Sequence, residues 1–343
     1  MESRRERSVR SRVVGFFRRH PLLLLFALTP GIPEYLSGSS KVDLLVVNPV
    51  VFFLLLVLNL GLYGPGVLLV REAWVRWGRG WGALLCLGTA YGLLEEGTAL
   101  STLFNPSASV VGVLGHYGRV AGVNGVWLIG VLGVHVVFST GLPILLLGLA
   151  LPETRARSLV GRRGITVALT VYVLAIVLLA AISDYWRTGI AWMVGAAVAA
   201  LLLWVVASRL PRGALDPPRE RPTFGPGAFF LLGLAFFPLL FLIPPLGIAA
   251  RAPAALTGAV ELAVAVLLFA SVRRSVGRHA NEPHLLLLAL GATLPLAAVG
   301  LLAQLLLPLV LAVDLLYAAF FWVLWKHYRP TPSTGGPPGS APS

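Results

Sequence analysis

The sequence predicts an all-α, polytopic integral membrane bundle of about ten transmembrane helices, and three observations carry that prediction. Of 343 residues, 57% are hydrophobic and only 12% charged, with a mean hydropathy of +0.85, whereas soluble domains carry about 25% charge. Apolar runs recur from end to end, each near the ~20 residues with which a helix crosses ~30 Å of hydrocarbon. Arginines gather in alternate connections, as positive-inside topology requires.

The N-terminal segment 1–20 is basic and precedes PLLLLFALTPGIPEYL. Pro30, Pro33 and Glu34 fit a cleavage site poorly, so a retained span or re-entrant segment is expected there. Further apolar segments lie at about Leu44–Val70, Gly82–Thr102, Val123–Leu151, Ile165–Ile182, Ile190–Ala207, Ala228–Leu246, Ala252–Ala270, His284–Ala303 and Leu307–Trp325. In the second, Gly61, Gly64, Pro65 and Gly66 predict a kink or break. The last two are joined around Gln304–Pro308, which calls for a tight hairpin. The expected organisation is spans 1–6 over 21–208, a Pro/Arg linker over 209–227, spans 7–10 over 228–326, and a Pro/Gly/Ser-rich tail over 327–343. The halves show no internal repeat, a frequent mark of transporters.

Of the 27 lysines and arginines, 23 fall on the N-terminal side, and only Lys41, Arg119, Arg187 and Arg251 oppose them. This split predicts a cell-membrane protein with both termini cytoplasmic. The net charge of +13 thus reads as a topology signal with attraction to anionic lipid, and nucleic acid is not an expected partner. Arg71, at the end of the second span, is expected to snorkel to the surface, with Glu72 beside it in a cytoplasmic segment. Cys86 is alone, so neither disulfides nor a thiolate metal site is available.

The chemistry concentrates in GALLCLGTAYGLLEEGTALSTLFNP, Gly82–Pro106. Glu95 and Glu96 lie inside an apolar run, where an acid costs about 2.5–3.5 kcal/mol and is usually functional or specifically paired. Consecutive residues point ~100° apart on a helix, so at most one glutamate should face a given neighbour squarely. Two close carboxyls in low dielectric can share a proton and act as general acid and base, with His135 of the next span as second proton carrier. The structural alternative is a cluster bonded to Thr98, Asn105, Tyr91 or Asn124. Gly88 and Gly92 have the spacing of a helix-packing motif. Asn105, Asn124, His116 and Arg119 are candidate substrate or accessory groups, the last two in the outer loop GVLGHYGRV. Glu261 and Asp314 are single acids in late spans, available either to pair with Arg251 or Arg187 or to take part in transport. No cofactor is expected. A zinc ion would need a set such as Glu95, His135 and His116, at a spacing that follows no zinc pattern. Walker, dinucleotide and haem motifs are missing.

The combination YGPGVLLVREAWVRWGRGW, AYGLLEEGTALSTLFNP and HVVFSTGLPI resembles a group of uncharacterised prokaryotic multi-pass membrane proteins, over about Tyr63–Pro152. Glu95–Glu96 and His135 also resemble part of the pattern of the CAAX-protease and bacteriocin-processing intramembrane glutamate proteases. That resemblance implies that Glu95 activates water. Leu100 stands where that pattern has arginine, Val131 where it has phenylalanine, and no later span offers His-x-x-x-Asn. Three functions therefore fit: an intramembrane hydrolase, a proton-coupled transporter or permease-like subunit, and a non-enzymatic lipid-binding or partner-assembling protein. Membrane lipids and a membrane peptide or small-molecule substrate are the expected partners.

Overall fold

The computed structural model describes residues 14–182, 189–218, 220, 222, 224–277, 281–303 and 308–328. Residues 304–307 of the expected terminal hairpin, most of the basic N-terminal segment, Arg187 and the tail from 329 lie outside these. Among the described residues ten longer helices follow one another: α1 (Pro21–Pro30, continued by a π-helical turn over Gly31–Leu36), α2 (Pro49–Trp77), α3 (Trp81–Gly92, then π-helical over Leu93–Ala99), α4 (Gly125–Ala150), α5 (Arg162–Ile182), α6 (Ile190–Arg209), α7 (Pro226–Ala249), α8 (Ala254–Val276), α9 (Glu282–Ala303) and α10 (Pro308–Tyr328). Each matches one apolar segment of the sequence. Eight are long and apolar enough to cross a membrane, and the others are the short Pro21–Leu36 and the glutamate-bearing α3. The bundle is thus a polytopic helical membrane protein. Its only sheet among the described residues is a two-stranded hairpin, β1 (Arg119–Val120) with β2 (Val123–Asn124), in the α3–α4 connection.

The core is built by α1–α5, with α9 and α10 packed against it. The second half is not a separate body. Helices α7 and α9 pair closely, α8 lies against α4, and α9 reaches the π-helical turn of α1. Phe138 of α4 packs edge-on to Phe236 and Phe237 of α7, with both ring-centroid distances 5.9 Å.

Three expectations change. Helix α2 runs unbroken through Pro65 for 29 residues. Its glycines serve close approach instead: a Cβ on Gly64 would stand 2.8 Å from the Phe26 ring, and one on Gly66 would stand 2.6 Å from Tyr91 and 2.7 Å from Tyr172. Arg71 does not snorkel. It is 2% exposed and pairs with Glu72 at 2.6 Å, and its other terminal nitrogen donates to the carbonyls of Thr154 and, at 2.8 Å, Arg157. Glu72, likewise buried, accepts from the Leu159 amide at 2.8 Å and pairs with Arg76 at 3.2 Å. A guanidinium this far inside is tolerable because its donors meet a carboxylate and two carbonyls. Finally, Glu261 does not pair with Arg251. Its carboxyl is fully buried with no hydrogen-bond partner and faces Gly130 of α4, and the Asp314 carboxyl is also unpartnered.

The 209–227 linker is tied to α3. The Asp216 carboxylate accepts from the Trp81 amide at 2.9 Å and the Ala214 carbonyl accepts from Gly82 at 2.7 Å. These bonds satisfy amide donors that a helix start leaves free.

Candidate functional site

The site forms where α3 meets α4. Gly88 and Gly92 set the distance: a Cβ on Gly88 would lie 3.2 Å from the Val136 Cα, and one on Gly92 would lie 3.0 Å from the His135 Cβ. Both helices widen at this level. Glu95 and Glu96 sit in the π-helical stretch Leu93–Ala99, where the Leu100 amide reaches the Glu95 carbonyl at 2.8 Å. His135 opens the π-helical stretch His135–Gly141, whose displaced carbonyls at His135 and Val136 are taken by the Thr140 hydroxyl at 3.0 and 2.8 Å. Such bulges are frequent at functional sites.

The widened turns bring both glutamates to one imidazole, against the expectation that only one could face it. His135 Nε2 lies 3.0 Å from Glu96 Oε1, and Nδ1 lies 3.4 Å from Glu95 Oε2 and 3.0 Å from Ser139 Oγ. All three ionisable groups are buried, at 2%, 7% and 3% exposure for Glu95, Glu96 and His135. The carboxylates differ in their commitments. Glu96 holds His135 through one oxygen and accepts from the Thr102 hydroxyl through the other, and Thr102 in turn accepts from the Trp127 indole at 3.1 Å. Glu95 Oε2 is within ion-pair range of the ring yet has no hydrogen-bond partner.

Thr98, Asn105 and Asn124 do not bind the glutamates. Thr98 donates to the Met193 carbonyl at 3.1 Å, and the Asn105 carboxamide closes a turn on the Ser107 amide at 2.9 Å. Asn124, fully buried, caps α4 by accepting from the Trp127 amide at 2.9 Å and donates to the Leu114 carbonyl at 2.6 Å. Arg119 staples the same loop to the carbonyls of Gly115, Phe104 and Gly122 at 2.6, 2.9 and 2.8 Å. Desolvation there lowers the Arg119 pKa from its ordinary value. His116 is exposed. These four residues thus organise or decorate the loop over the site, and none contacts the glutamate–histidine cluster. The loop has its own small core of Leu103, Ala108, Val111, Trp127 and Val131.

Glu95, Glu96 and His135 each offer a ligand atom, and these atoms lie within 4.8 Å of one another. Three such donors, one unpartnered, suit a divalent cation with an open position. His116, a member of the example set read from the sequence, is not among them, and Glu96 takes its place.

Sequence reasoning missed four participants. Glu34, in the π-helical turn of α1, accepts from the Tyr63 hydroxyl at 2.6 Å and from Ser40 at 2.6 Å, and Asn59 donates to Ser40 at 2.9 Å. Its signal was an acid between apolar residues beside two prolines. Ser139 follows His135 by four residues, a same-face spacing readable in advance. Thr102 reaches Glu96 only because the chain reverses at Ser101, and nothing in the sequence marks Tyr172, whose ring stacks on Tyr91 at 6.0 Å within electrostatic range of Glu95.

An uncharacterized membrane protein family matches residues 23–332. The chain belongs to that family. No curated protein and no solved structure matches it. The similarity to intramembrane glutamate proteases finds no support in these comparisons. Membrane localisation follows from the family and its apolar helices.

Proposed function

We propose that this family member is an intramembrane hydrolase in which Glu95 activates water and the Glu96–His135 pair holds and polarises the site. One observation carries the reading: His135 is anchored between two buried carboxylates, while only Glu95 keeps an oxygen without a hydrogen-bond partner. A base must have a lone pair within reach of the water it deprotonates. Glu95 takes a proton as the water oxygen bonds the substrate carbonyl carbon. The amide C–N or ester C–O bond then breaks, and the proton passes to the leaving group. Ser139 and Glu96 hold the two ring nitrogens of His135, which fixes the ring's orientation. A membrane peptide or a lipid-soluble ester fits a site at this depth.

The test is hydrolysis of a panel of fluorogenic transmembrane peptides and long-chain esters in proteoliposomes. Glu95→Gln should leave the unfolding temperature unchanged and abolish turnover, and Glu96→Gln or His135→Ala should lower kcat by about 10²–10⁴-fold. Turnover by Glu95→Gln at the wild-type rate would sink the assignment.

A proton-coupled transport reading is favoured by a separate observation. The series Ser40–Glu34–Tyr63, half-buried at its first two members and buried at the third, leads from Glu34 towards Glu95, and two membrane acids joined in this way are material for a proton relay. Under that reading Glu34→Gln abolishes proton flux into liposomes, whereas hydrolysis alone does not require Glu34. We also infer from the arginine distribution that both termini face the cytoplasm.

A further inference from the structure

We propose that Tyr91 and Tyr172 form the donor pair for a substrate carbonyl oxygen beside Glu95, a role that rests on the hydrolase reading above. Both side chains are buried, at 2% and 6% exposure, and neither hydroxyl has a hydrogen-bond partner. Their rings are stacked, with centroids 6.0 Å apart and planes at 13°, and Tyr91 also lies 5.8 Å from the His135 ring. Glu95 lies within electrostatic range of both phenols, and Tyr91 interacts with it without closing a hydrogen bond of standard geometry.

The Tyr172 hydroxyl is therefore left without a partner, and the Tyr91 hydroxyl and a Glu95 oxygen meet without a well-formed bond, in the same apolar surroundings. A buried hydroxyl without an acceptor is unfavourable, and phenylalanine would fill the same volume without that loss. The neighbouring Tyr63 makes the contrast, because its hydroxyl is held by Glu34 at 2.6 Å and also lies within reach of Glu95. The placement of the orphan pair is also enforced, since Gly66 leaves room for both rings where any side chain would displace them. What complements two donors and a base is an electrophilic carbonyl with its attacking water. As the water oxygen bonds the carbonyl carbon, the C=O electron pair moves onto oxygen and accepts both phenol hydrogen bonds. When the bond to the leaving group breaks, that pair re-forms the C=O. The phenols donate throughout and transfer no proton. Preorganised donors of this kind act where charge develops.

The probe is a long-chain aliphatic ketone, ¹³C-labelled at its carbonyl and not hydrolysable, read by isotope-edited infrared spectroscopy in proteoliposomes. Hydrolysis by the same preparations is measured in parallel. Wild type should show a bound carbonyl band at lower wavenumber than the lipid-dissolved ketone. Tyr91→Phe and Tyr172→Phe should each move it part of the way back and together abolish the shift, while Tyr117→Phe, whose hydroxyl is bonded to Ala252 and Thr257, leaves it in place. Each single variant should lower kcat by about 10²–10³-fold with KM little changed. Fluorotyrosine at position 91 keeps ring and hydroxyl, covers the case in which phenylalanine perturbs folding, and should deepen the shift. A band identical in wild type and the double variant, or, where wild type is active, phenylalanine variants that hydrolyse at its rate, overturns the proposal. A shifted band in a protein that hydrolyses nothing retains the donor pair and rejects the hydrolase reading instead.

Discussion

At the scale of single residues, the acidic pair and its histidine were legible because charge inside an apolar run is rare enough to stand out. Thr102 was not, since it arrives from a turn. Ser101 adopts φ +54°, in the left-handed region, and so sends Thr102 back towards Glu96. An L-residue there costs about 1–2 kcal/mol. Ser101→Val, which puts a β-branched side chain at this positive φ, should therefore lower the melting temperature in thermal unfolding. Thr102→Val keeps the shape but leaves a Glu96 oxygen and the Trp127 indole unpaired. The expected loss is about 1–3 kcal/mol, recovered by Thr102→Ser, and a Thr102→Val melting temperature equal to wild type would refute that bonding.

At the scale of elements, apolar periodicity gave the helices, but regular helical geometry misjudged the site. The ~100° step between Glu95 and Glu96 separates them only if the turn is an ordinary one, and the i→i+5 bonding at Leu93–Ala99 removes that condition. The Pro65 region erred in the other direction. A Gly/Pro cluster read as a break is a continuous helix, because neighbouring rings fill the space its glycines leave. Helix approach can be tested at Gly92, where Gly92→Val drives a side chain into Leu132 and His135. Overpacking of this kind costs about 1–3 kcal/mol and here should also remove activity. Gly195→Ala, in open space on α6, should change neither.

At the scale of the whole molecule, composition alone specifies a polytopic bundle, yet it gives no sign that α2 and the α4–α5 connection are locked by a buried ion pair. Removing one member of such a pair strands the other. Arg71→Met should therefore cost about 3–5 kcal/mol, and Arg71→Met with Glu72→Leu should recover much of it in the same unfolding assay. Orientation is open to cysteine labelling in a Cys86→Ser background, using two exposed positions. With the termini cytoplasmic, His116→Cys reacts with an impermeant maleimide on intact cells, and Ser158→Cys reacts only after permeabilisation. The reverse pattern would invert the topology.

Trp127 belongs at once to the small core of the α3–α4 loop and, through its indole, to the hydroxyl that Glu96 uses. Lifting that roof would break the indole link and loosen the acid's second anchor in the same movement. Admission of a molecule from that side and release of Glu96, the group that steadies His135, would then be a single event.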